Sequence, residues 1–155
     1  MLIIGIDPGS VSCGIGILKK EQNRLLYVHS EEVKLAGRDL TRRMKQLWIR
    51  LAEINGKYSP DQAAVESGFL QTNVKTLQVL AQFQGVILAS FLDRDLPVRM
   101  YSPREVKQFV TGNGNALKFQ VKKMISILLN LDEERLGEDE SDGLAVAYCH
   151  GMRHR

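Results

Sequence analysis

The chain opens on an unbroken apolar run, Leu2-Ile3-Ile4-Gly5-Ile6, closed by Asp7-Pro8-Gly9. Such a run, ended by a Pro-Gly turn, predicts a buried strand over residues 2–7. Apolar residues then alternate at Cys13, Ile15 and Ile17, as a second strand over 12–19 requires. Asn23 turns the chain into a third strand through Leu25, Tyr27 and Val28. Asp39 stands as a helix N-cap before Leu40, Met44, Leu47, Trp48, Leu51 and Ile54 at helical spacing. Ser59-Pro60 stops that helix, and residues 62–66 predict a short buried strand ending in Glu66. A long helix over 74–93 carries Leu77, Leu80, Phe83, Ile87 and Phe91, and 98–101 reads as a further strand. Ser102-Pro103 starts the next helix, with proline in its first turn. Thr111 to Asn115 is a loop, and Leu117 to Leu129 and Asp139 to about His150 are the last helices. No repeat, low-complexity tract or linker divides the sequence. The order predicts one α/β domain over residues 1–155, with a five-stranded mixed sheet flanked by helices: an antiparallel meander continued by parallel crossover strands.

Composition changes this picture little. Hydrophobic residues make up 44% of the 155 and charged residues 25%, as in an ordinary globular protein. Cys13 and Cys149 form no metal-ligand spacing and are expected to be reduced thiols of a cytoplasmic protein. No apolar run reaches the roughly 18 residues of a membrane span. The start has no basic region before its apolar run, so no signal peptide and no membrane association are expected.

The chemistry lies in scattered carboxylates. Asp7 and Glu66 each close a strand, at the end of a sheet where functional residues gather. Asp139 and Asp142, three residues apart on a helix, share one face. Clustered carboxylates raise one another's pKa unless cations neutralise them, so the four predict a divalent-metal site. Magnesium suits hard oxygen ligands, and two ions about 4 Å apart can drive phosphodiester hydrolysis. Each residue also has a plainer reading. Asp7 before Pro-Gly is a common turn residue, and acids favour a helix's first turn. Glu66 is harder to explain away, because a glutamate closing an apolar strand meets a desolvation penalty with no evident partner. Spacing alone leaves open whether Glu138 or Asp139 pairs with Asp142.

Charge points to the substrate class. Lys and Arg number 21 against 18 Asp and Glu, a net +3; with four carboxylates set aside, 21 face 14, a balance of +7. A basic surface around an acidic centre suits a polyanion presented to metal ions. Phe69, in the loop after Glu66, is placed to stack on an exposed base or to pack under that loop. Lys75 extends the polar stretch after it, Arg104 and Lys107 flank the helix start at Pro103, and Lys118 follows the Gly/Asn loop. All four cations are candidate phosphate contacts, although lysines on helices are often only solvated. Gly112 and Gly114 are not followed by Gly-Lys-Ser/Thr, which excludes a P-loop. His29, His150 and His154 show no catalytic or zinc spacing, and His150 is expected on the surface.

These motifs together resemble the RuvC family of Holliday-junction resolvases, bacterial crossover junction endodeoxyribonucleases with the RNase H-like fold. The resemblance rests on Gly5-Ile6-Asp7-Pro8-Gly9-Ser10 with Gly14 and Gly16, on Val65-Glu66 with Phe69, and on Gln82-Phe83-Gln84-Gly85-Val86. It continues through residues 101–107, Gly112-Asn113-Gly114 with Lys118, and residues 139–145, covering essentially the whole chain in order. It implies Asp7, Glu66, Asp139 and Asp142 as metal-binding catalytic residues, Phe69 as a base-stacking residue, and Lys107 and Lys118 as phosphate contacts. It also implies Mg²⁺, with two ions per site and Mn²⁺ as a substitute. The activity implied is symmetric paired nicking of four-way junctions in recombination and repair, leaving a 5′-phosphate and a 3′-hydroxyl. Family partners are a second copy of the chain and the RuvA–RuvB branch-migration complex. Glu140-Ser141 departs from the small apolar pair usual between the last two aspartates, and both are expected to face away from the metals. The rivals are an RNase H-like nuclease acting on an RNA precursor or hybrid, an actin-like ATPase lobe, and a DNA-binding module without catalysis.

Overall fold

The computed structural model describes residues 1–68 and 73–153. Its elements are β1 (Leu2–Asp7), β2 (Ser12–Glu21), β3 (Arg24–Lys34), α1 (Leu40–Tyr58), β4 (Gln62–Glu66), α2 (Val74–Leu92), β5 (Val98–Tyr101), α3 (Pro103–Thr111), α4 (Lys118–Leu129) and α5 (Glu138–Arg153). The sheet order is β3-β2-β1-β4-β5. β1 and β3 flank β2 antiparallel, while β4 joins β1, and β5 joins β4, in parallel. This is the mixed five-stranded sheet with flanking helices that the pattern predicts.

Helix ends follow the chemistry of their sequence. The Asp39 carboxylate accepts from the Thr41 and Arg42 N–H groups, and Ser59 in the left-handed region ends α1. Ser102 and Glu105 form a reciprocal capping box around Pro103 at the start of α3. β3 runs to Lys34, beyond the segment through Val28 that its apolar residues suggest. As an edge strand it is mostly solvated, so its second half alternates polar residues, carries little hydrophobic pattern and takes its pairing from β2.

Two cores lie on opposite faces of the sheet. Alternation along β1 sends Ile4 and Ile6 into the core closed by α1 and α2, with Leu47, Leu51, Phe83 and Ile87. Ile3, with Leu18 and Ala64, meets α3, α4 and α5 on the other side. That second face is cut back for backbone contact. A Cβ on Gly5 would fall on the Ala147 nitrogen, one on Gly14 on the Asp139 carbonyl oxygen, and one on Gly16 on Leu144. Gly143 of α5 answers them, since its own Cβ would lie 2.7 Å from Gly14 and Ile15 backbone atoms. α5 therefore rests directly on the backbone of β1 and β2.

His150 corrects a sequence expectation. It is 1% exposed, not on the surface. Its Nε2 lies 2.8 Å from Gln62 Oε1 and its Nδ1 2.8 Å from the Tyr101 hydroxyl. An amide oxygen only accepts, so Nε2 carries the proton and Nδ1 accepts from Tyr101. Both ring nitrogens are satisfied, which makes burial of this polar side chain tolerable. The contact ties α5 to β4 and β5, two turns beyond Asp142. Cys13 and Cys149 are buried free thiols. Among the described residues no helix is long and apolar enough to cross a membrane.

Candidate active site

Strand alternation decides which way the first two carboxylates point. Asp7 shares the parity of Ile3 and Gly5, and Glu66 that of Ala64, so both face the α5 side of the sheet. β1 and β4 are parallel neighbours in register, Ile6 opposite Val65, which sets Asp7 beside Glu66 at the same strand end. The glycine seat then brings the start of α5 over that end. Asp7, Asp139 and Asp142 each offer an oxygen, and the three atoms lie within 4.8 Å of one another.

Glu66 stands outside this closest trio but lines the same hollow. A cavity of about 130 Å³ is bounded by Asp7, Glu66, Lys107, Lys118 and Asp142. A second of about 130 Å³ runs from Asp7 and Glu66 to Ser67, Gln84 and Pro103. Glu138 is exposed and outside the trio, so the ambiguity between it and Asp139 resolves in favour of Asp139. Glu140 turns to the Gly137 N–H at 3.3 Å and the Ser30 hydroxyl at 3.4 Å. There it closes the start of α5, the first helical turn, where a carboxylate is favourable. Ser141 is buried and donates to the Glu138 carbonyl.

Burial first, and crowding of like charges second, set the electrostatics of the site. Burial, then the neighbouring Asp142 carboxylate, pushes Asp7 up to about 7, with Lys118 opposing and Asp139 reinforcing. Burial, then Asp7 and Asp142, pushes Glu66 up to about 8 against the pull of Lys107 and Lys118. Burial raises Asp142 as well, opposed by its hydrogen bond from Lys118. Lys118 Nζ donates to Asp142 Oδ2 at 2.7 Å and lies 3.8 Å from Asp139 Oδ1. Burial lowers the Lys118 ammonium, but Asp142, Asp7 and Asp139 together raise it above the ordinary value.

The other residues singled out in the sequence separate clearly. Lys107 and Lys118 reach the carboxylate cavity. Arg104 does not: it packs against Gly114 and lines a different hollow of about 590 Å³ with Ser102, Glu105, Gln108, Phe109 and Arg153. Lys75 is exposed in the first turn of α2 and lines neither carboxylate cavity. Phe69 lies outside the described residues. Two side chains not singled out by spacing or composition also belong to the surroundings. Gln84 Nε2 donates to the Glu66 carbonyl at 2.9 Å, and the Ser12 hydroxyl donates to Asp139 Oδ2. Gln84 sits in the Gln-x-x-Gly stretch of the family resemblance, the one hint available for it; Ser12 had none.

Known proteins resemble this chain over nearly its full length. The model of the family described as crossover junction endodeoxyribonuclease RuvC matches residues 3–150. The chain is 44% identical over 151 residues to a protein of that name from Geotalea uraniireducens, covering 97% of this chain and 88% of the relative. It is 42% identical over 151 residues to one from Citrifermentans bemidjiense, covering 97% and 92%. Thermus thermophilus RuvC in complex with a Holliday junction substrate superposes with a TM-score of 0.88 at 28% identity, covering 98% of this chain and 93% of that one. With an RNase H-like sheet, carboxylates gathered at its edge and matches over nearly its full length, the chain belongs to the RuvC family of crossover junction endodeoxyribonucleases.

Proposed function

We propose that the chain is a single nuclease domain that resolves four-way DNA junctions by paired, symmetric, Mg²⁺-dependent nicks, acting in the cytoplasm in recombination and repair. The observation that carries this reading is the convergence of Asp7, Asp139 and Asp142 beside Glu66, with Lys107 and Lys118 on the same cavity. The donor set fits a hard dication: all oxygens, all carboxylate, drawn together in a partly buried hollow. Asp7, Asp139 and Asp142 would hold the metal, with Glu66 completing the set from β4. Bound Mg²⁺, or Mn²⁺ in its place, supplies Lewis acidity and an activated water for in-line displacement at phosphorus, leaving a 5′-phosphate and a 3′-hydroxyl.

The chain's own groups then bind and orient. Lys107 and Lys118 present ammonium groups to the scissile phosphate, which requires Lys118 to give up its bond to Asp142. Lys75 and Arg104, away from the cavity, contact backbone phosphates along the arms, where they add affinity without sequence information. Phe69, three residues after Glu66 in the sequence, stacks on a base at the opened centre of the junction. The partners are junction DNA, a second copy of the chain and the RuvA–RuvB motor. In support of a second copy, α2 buries Phe83 and Ile87 inward while Val74 and Leu92 remain 70% and 67% exposed. Between them Ala81, Gly85 and Ala89 are also exposed, leaving an outer face of mostly small and apolar residues interrupted by Gln78. A junction with approximate two-fold symmetry calls for a two-fold protein.

The test is cleavage of a synthetic immobile four-way junction against a matched linear duplex, each with Mg²⁺ or EDTA. Paired symmetric nicks are expected on the junction alone and with Mg²⁺ alone. Asp7→Asn should lower the rate at least about 10²–10³-fold, the scale of losing one preorganised electrostatic group, while junction binding persists. Equal cutting of the duplex, or cutting in EDTA, would overturn the proposal.

A further inference from the structure

β2 approaches the carboxylates from a side that neither β1 nor β4 occupies. Its first residue is Ser12, held in the sheet by pairing opposite Lys34 of β3. Period two puts Ser12 on the same face as Gly14 and Gly16, the face on which α5 rests. Gly14 allows the β2 backbone to meet the Asp139 carbonyl directly. Two residues earlier, the Ser12 hydroxyl donates to Asp139 Oδ2 across 127 positions of sequence. The other carboxylate oxygen, Oδ1, faces Lys118 at 3.8 Å.

One oxygen of Asp139 is therefore fixed by a neutral donor, and the other faces Lys118, which lines the carboxylate cavity. The choice of donor matters. An ammonium or guanidinium at position 12 would fix the same oxygen but cancel the charge a dication needs. A hydroxyl fixes the carboxylate and leaves its charge in place. Without it, Asp139, in the first turn of α5 and only partly buried, has free rotation about its side-chain bonds to lose when metal binds.

We infer that Ser12 is a positioning residue of the metal site, acting through Asp139 to preorganise it for a divalent cation. The inference rests on the metal-site reading above. Outer partners of metal-binding carboxylates typically contribute about 10–100-fold in metal affinity.

The probe is Mn²⁺ added to the full-length protein without DNA, with binding read from the fall in the free-ion electron paramagnetic resonance signal. The variants are Ser12→Ala, Ser12→Thr, Asp139→Asn and the double Ser12→Ala/Asp139→Asn. Ser12→Ala should weaken Mn²⁺ binding about 10–100-fold. It should raise the Mg²⁺ concentration for half-maximal junction cleavage similarly, with a smaller change in the rate at saturating Mg²⁺. Ser12→Thr keeps the hydroxyl on a strand-compatible side chain and should restore affinity. Ser12→Ala should add nothing once Asp139 is Asn. Loss of binding in Asp139→Asn with none in Ser12→Ala would overturn the role of Ser12 alone. Unchanged binding in Asp139→Asn would overturn the metal-site reading beneath it. An additive loss in the double variant, or a Ser12→Thr protein no better than Ser12→Ala, would overturn action through the hydroxyl on Asp139.

Discussion

The two faces of the sheet are built on opposite terms, although the same strands supply both. Toward α1 and α2, β1 and β2 present Ile4, Ile6, Ile15 and Ile17, all fully buried against Leu47, Leu51, Phe83 and Phe91. Toward α5 they present Gly5, Gly14 and Gly16, with Ile3 and Leu18 buried at the far end and Ser12 and Asp7 at the rim. One face gains stability from side-chain volume at about 25 cal/mol per Å² of apolar surface buried. The other gives up that volume so that a helix can approach closely, and then gathers mutually repelling carboxylates where it arrives. The difference teaches a division of labour within the sheet: apolar cores on both faces keep it folded firmly enough for the glycine seat and the strand ends beside it to hold an unfavourable arrangement of charge.

The largest effect that would sharpen this contrast comes from the apolar side. Leu51→Ala in α1 should cost about 2–5 kcal/mol of stability in urea unfolding, with Mn²⁺ affinity of the folded protein unchanged. A metal-affinity change in that variant would break the separation of the faces. Next is Gly14→Ala, whose added methyl meets backbone rather than a side chain that could swing aside. It should cost about 1–3 kcal/mol by overpacking and, unlike Leu51→Ala, also weaken Mn²⁺ binding, because the first turn of α5 must move.

The smallest effect is a pH dependence confined to the carboxylate face. Asp7 and Glu66 hold their protons more tightly folded, near 7 and 8, than at their ordinary 3.8 and 4.5. Their contribution to stability is therefore fully present below about pH 4 and is lost as pH rises through about 7 to 8. In EDTA, thermal midpoints should fall over that window by this contribution. Mg²⁺ should flatten the slope, and Asp7→Asn should reduce it, whereas Leu51→Ala should lower the whole curve in parallel. A slope indifferent to both Mg²⁺ and Asp7→Asn would show that other groups govern it.

What was legible in the sequence follows the same division. Strand and helix positions could be read because apolar periodicity encodes them, and carboxylates at strand ends stand out against that pattern. Asp139 could not be told from Glu138 by spacing, because three and four residues both return to one helix face; packing on β2 decided it. His150 was misplaced because a histidine on a terminal helix looks solvated until Tyr101 and Gln62, distant in sequence, satisfy its nitrogens. Ser12 was invisible for a similar reason: a strand serine says nothing about a carboxylate 127 residues away. Gly14 and Gly143 stand in the motifs of the family resemblance, but their reason, backbone against backbone, is seen only in the packing.

The ends of the sheet bear on how copies of this protein can meet. β5, at one edge, has only four residues. β3, at the other, has eleven, but its pairing slips opposite Ile17 and Leu18, and Glu31, Glu32 and Lys34 charge its second half. Short length, a bulge and charged side chains are the devices that deter a strand from recruiting another at its open hydrogen bonds. Sheet extension between molecules, the first step toward amyloid-like stacking, is thereby discouraged at both borders. Any contact between copies of the chain is thereby directed to helix faces rather than to strand edges.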